Sequence, residues 1–147
     1  MNMNKGNNRA IRFKDQEHEM FYKNVLPKCR RQDVCHKALV YCIGINGDTR
    51  QCAERIFDFD QGRVKTECLE EDWITSGSAR VIRMAFNLFC NGTPSVSDFE
   101  GDGKVKECQR YTVEELFCCE YAIYFWEAVK LRYPEYCFPV DLSAFGM

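Results

Sequence analysis

Thr112–Cys137, TVEELFCCEYAIYFWEAVKLRYPEYC, is the stretch from which the fold can be read. Thr112 followed by Glu114 and Glu115 is a helix N-terminus signal, and Pro134 is a stop. Between them apolar residues fall on nearly every side, and only Glu120, Glu127 and Lys130 make a narrow polar strip. A helix apolar almost all round has to be buried in a domain or a membrane. Its charges stand too close together for a bilayer span. The segment predicts a buried central helix over Thr112–Tyr133, and with it an all-α domain.

The flanking chain supplies partners for such a helix. Asp15 is an N-cap candidate, and Met20, Phe21, Val25 and Leu26 follow it at helical spacing and end at Pro27. Asp33 can cap VCHKALVYCIGI, a second helix with few polar positions. Asn46-Gly47-Asp48 reads as a turn, with Asp48 and Gln51 a capping-box-like start to a third. DFDQGRVK, near 58–65, has no helical period and predicts a short extended piece. ECLEEDW reads as a short acidic helix after Thr66, and ARVIRMAFNLFCN as a longer one capped by Ser76 or Ser78 and stopped at Gly92. Thr93–Arg110 reads as a long loop, and long loops are often functional or mobile. The expected architecture is one compact domain of five or six helices over residues 11–147, behind a polar, asparagine-rich, disordered tail at 1–10.

The chain has 147 residues, enough for one domain, and 46% of them are hydrophobic, so a filled core is available. A net charge of −2 speaks against non-specific nucleic-acid binding and against dense DNA mimicry. No apolar run long enough for a membrane span or a secretory signal stands out. Ten cysteines would suggest a disulfide scaffold, but several of them fall inside apolar helical patterns. Buried free thiols in a cytosolic protein of the host bacterial cell are therefore expected.

Three chemistries come into question. Paired Cys-x-x-Cys units, the usual mark of structural zinc, are absent. A tertiary zinc site drawing on His36, Cys118, Cys119 and Cys137 remains as an alternative reading, since ligands from separate elements leave no local pattern. DFEGDGKVKECQ partly matches an EF-hand loop, but Gln109 stands where the bidentate glutamate belongs, so calcium binding should be weak. A thiol enzyme built on a Cys–His pair is the third. Glu120 and the aromatics beside Cys119 would raise a thiol pKa rather than lower it, and no catalytic motif is present, so no enzyme is expected.

Protein binding is better motivated. Acids cluster at Asp58 and Asp60, at Glu67, Glu70, Glu71 and Asp72, and at Asp98, Glu100 and Asp102, with Trp73 and Phe99 beside them. An acidic patch edged by aromatics suits a basic partner surface, the charge steering and the rings anchoring.

FKDQEHEMFY, DVCHKALVYCIGINGDTR, IFDF, WITSGSARVIRMAFNLF and, above all, ELFCCEYAIYFWEAVKLRYPEYC resemble a family of small stand-alone proteins of unknown function from Firmicutes genomes and their mobile elements. The resemblance brings no catalytic residue with it. Small proteins of such elements often inhibit host defence, which implies a phage or mobile-element inhibitor. The most concrete form is an anti-CRISPR protein that binds a type II effector nuclease without reading nucleic-acid sequence. The expected action is to block DNA loading or a domain movement.

Overall fold

The computed structural model describes residues 10–138. The tail expected over 1–10 lies outside them apart from Ala10, as do the last residues of the domain expected to reach 147. Asp15 caps α1 (Gln16–Val25) by accepting the His18 N–H. A 3-10 turn, Leu26–Lys28, leads to α2 (Val34–Ile43), capped by Asp33. Two one-turn helices follow, α3 (Gly47–Gln51) and α4 (Ala53–Ile56). The cap of α3 is Asn46, not Asp48, because its carboxamide oxygen reaches the N–H groups of both Asp48 and Thr49. The extended piece is a minimal antiparallel hairpin, β1 (Phe57–Asp58) with β2 (Arg63–Val64), in which Phe57 faces Val64.

The acidic segment is a 3-10 turn, Thr66–Glu70. Thr75 caps α5 (Ser76–Cys90) in a capping box with Ser78. Asn91, in the left-handed region at φ 56, ends it one residue before Gly92. Another 3-10 turn, Pro94–Asp98, precedes α6 (Asp102–Gln109), so the expected 93–110 loop is largely helical. The chain closes with α7 (Val113–Phe117), α8 (Ala122–Arg132) and α9 (Pro134–Cys137). Among the described residues five helices run eight residues or more, α1, α2, α5, α6 and α8. The all-α reading holds.

The centre of the domain belongs to α2. Every residue from Ala38 to Ile43 is fully buried, with both α5 and α8 packed against the helix. Phe57, Val81, Ile82, Phe86, Phe125 and Ala128 complete the interior.

The expected single helix over Thr112–Tyr133 is two helices, broken at Cys118–Tyr121. Leu116 and Phe125 are both core residues. They lie nine positions apart, roughly two and a half helical turns, so one unbroken helix would point them in opposite directions. The break turns both inward. It also puts part of the apolar sequence outside: Ile123 and Trp126 are each 47% exposed.

Candidate functional site

The acidic clusters are brought together only in part. Glu70, Glu71, Asp72 and Trp73 line one open cavity of about 650 Å³ with Cys52 and Arg55. Glu71 organises it. Its Oε1 accepts the Trp73 indole N–H at 2.6 Å and the Arg55 guanidinium at 3.2 Å, which sets the ring and takes up the arginine. Glu70 and Asp72 are exposed and form no ion pair among the described residues. Asp60 lines the neighbouring groove, which shares Cys52 and Arg55 with this one. The 3-10 turns at Thr66–Glu70 and Pro94–Asp98 pack together, so exposed Glu67 and Asp98 lie on adjoining turns.

Other members of the expected patch have local duties. Asp58 accepts the N–H groups of Asp60 and Gln61 and so closes the hairpin turn. Those hydrogen bonds hold its carboxyl below the usual range. Phe99 is half-buried against α6, where a Cβ on Gly103 would lie 3.4 Å from its ring. Glu100 and Asp102 are exposed, and Asp102 sits in the first turn of α6, favourably placed for the helix dipole.

The expected metal ligands are not gathered. His36 Nδ1 pairs with Asp33 at 2.7 Å, and its ring meets Phe57 and Phe89 edge-on. Cys118 is exposed at the break before α8. The Cys119 and Cys137 thiols donate to the Leu116 and Val129 carbonyls. Among the described residues no group of three or more His, Cys, Asp or Glu is placed to hold an ion. The EF-hand resemblance fails for a related reason: Asp102–Gln109, the later half of that motif, is wound into α6 and is not free to wrap a cation.

Two polar arrangements, one buried and one half-buried, have no counterpart in the sequence motifs. Glu107 is 2% exposed and receives a bidentate pair from Arg83 at 2.7 and 2.9 Å. Ser95 donates to the same carboxylate and shares a hydrogen bond of 2.7 Å with Tyr111. This network ties the Pro94–Asp98 turn and α6 to α5, and it joins residues up to 24 positions apart, which no local pattern announces. The second is the Asp33–His36 pair. In the sequence Asp33 reads as a cap alone, and its Oδ1 does accept the His36 N–H as well as the ring N–H. Burial pushes the Asp33 carboxyl up, yet the two hydrogen bonds from His36 outweigh it and hold it below its ordinary value. His36 Nε2 is buried and has no hydrogen-bond partner among the described residues.

Residues 8–143 match a family of unknown function, DUF6075, and the chain belongs to it. No curated protein and no solved structure matches the chain.

Proposed function

From membership of this family as the premise, we propose that the chain is a stoichiometric protein-binding inhibitor rather than an enzyme. Most concretely it is a mobile-element anti-CRISPR protein that occupies a type II RNA-guided nuclease and blocks DNA loading or a domain movement. The observation that carries the reading is the Trp73 cavity. Glu71 is spent on holding the indole and Arg55, while Glu70 and Asp72 stay exposed and unpaired on either side of it in sequence. An oriented aromatic ring in one cavity with exposed carboxylates is suited to a basic partner surface: the ring anchors, the charges steer. The channels that such nucleases offer to nucleic acid are basic surfaces of that kind.

The test is a pull-down against purified type II effectors, followed by target cleavage with the protein in molar excess. A stable complex and blocked cleavage are expected. The double charge reversal Glu70→Lys with Asp72→Lys should weaken the complex about tenfold or more, mostly through slower association, with the fold unchanged by circular dichroism. Unimpaired cleavage at large excess would sink the proposal.

A further inference from the structure

The helix break that buries Phe125 leaves a second surface with its own chemistry. Ile123 and Trp126, three residues apart on α8, stand 47% exposed beside Ile11 and Phe13. Single exposed apolar residues are ordinary, but an exposed tryptophan paired with isoleucine over a groove is the composition of an interface core. The groove is also held rigid. The Arg12 N–H donates to Glu127 Oε2 at 3.2 Å, and the Arg12 carbonyl accepts the Tyr41 hydroxyl, so the Arg12 backbone is pinned on both sides. Phe13 is locked edge-on against buried His18, with ring centroids 5.2 Å apart.

The groove's charge is one-sided. Its lining carboxylate, Glu127, is 3% exposed and engaged from within. What faces outward is Arg12, with Lys130 half-buried beside it. The Arg12 guanidinium has no carboxylate partner among the described residues. The Lys130 ammonium lies 5.6 Å from the Trp126 ring centroid and 3.7 Å from Glu127. We infer that this groove is a docking site for an acidic segment of a protein partner, in which an apolar side chain seats against Ile123 and Trp126 and a neighbouring carboxylate pairs with Arg12. Complementarity of charge selects the occupant: a basic segment would meet the exposed Arg12 guanidinium, and an uncharged one would leave it without a counter-charge. The groove shares no lining residue with the Trp73 cavity, so the two surfaces are independent and of opposite sign.

The chain has two tryptophans, Trp73 and Trp126, so Trp73→Phe leaves Trp126 as the sole indole reporter. In that variant, acrylamide should quench the free protein efficiently. A synthetic peptide with a Leu-Phe pair flanked by aspartates should shift the emission saturably. Its counterpart with lysines for aspartates should not. By calorimetry, Arg12→Glu should weaken the acidic peptide about tenfold, and Trp126→Ala about thirtyfold, corresponding to hot-spot loss, with circular dichroism unchanged. Equal binding of the lysine peptide, or no binding of the acidic one, would overturn the inference. So would a free protein whose Trp126 resists quenching, because the chain itself would then cover the groove. A sedimentation profile showing a dimer abolished by Trp126→Ala would assign the surface to a second copy instead.

Discussion

His18 uses both ring nitrogens: Nδ1 accepts the Lys14 N–H at 3.0 Å, and Nε2 donates to the Tyr41 carbonyl at 2.8 Å. That pattern needs the neutral ring, and burial pushes its pKa down from 6.5 to about 4. The unfolded chain therefore takes up a proton at His18 in a range where the folded one does not. The contribution is fully present above pH 6.5 and is lost as pH falls through 6.5 towards 4. Between pH 6.5 and 5, above most carboxylate titration, about 2 kcal/mol should go. Urea midpoints across that window measure it; a flat profile would mean the fold accepts the proton. Nothing local in DQEHEM reveals that the Tyr41 carbonyl stands in line with His18 Nε2. His18 shows the limit of local reading: the cap at Asp15 was legible, its burial was not.

The close approach of α1 to α2 depends on Gly44, the C-cap of α2. Its φ is −73, so alanine meets no backbone strain there. A Cβ, however, would lie 2.7 Å from His18 Cδ2 and 2.9 Å from Phe21 Cδ1. The His18 ring is fixed by its two hydrogen bonds and cannot give way. Gly44→Ala should therefore destabilise by about 1–3 kcal/mol despite the better helix propensity of alanine, read as a lower thermal midpoint at neutral pH. A neutral or raised midpoint would show that α1 shifts freely. The same scale explains where element prediction worked. Asp15 and Asp33 cap where expected, since a cap is a matter of a few neighbouring residues. The continuous final helix that the sequence predicts is broken, since the break answers to the opposite phases of Leu116 and Phe125 and not to any local helix breaker. The loop that it predicts over Thr93–Arg110 is largely helical, since Arg83 on the distant α5 holds Glu107 of that segment.

Over the whole molecule the ten cysteines are free and sort by depth. Burial raises the Cys29 thiol to about 11 and the Cys68 thiol to about 12, and Cys42 is pushed up further still by its complete enclosure. Cys90, Cys108 and Cys118 are exposed, but burial of its sulfur pushes the Cys90 thiol up. Native alkylation read by mass spectrometry should mark Cys108 and Cys118 first, and Cys29, Cys42 and Cys68 only after denaturation. A chelator should not alter the rate at Cys118; protection relieved by chelator would revive the zinc reading. The sequence by itself determined the helical class, a short extended piece near 58–65 and the caps of α1 and α2, since hydrophobic period and capping act within a few residues. It also marked Trp73 and its acids as neighbours, because they are consecutive. Tertiary structure alone decided that α2 rather than the C-terminal stretch lies at the centre, and that Ile123 and Trp126 face outward. Those outcomes depend on which of several apolar faces finds the other helices, a competition for buried area that no single segment can settle.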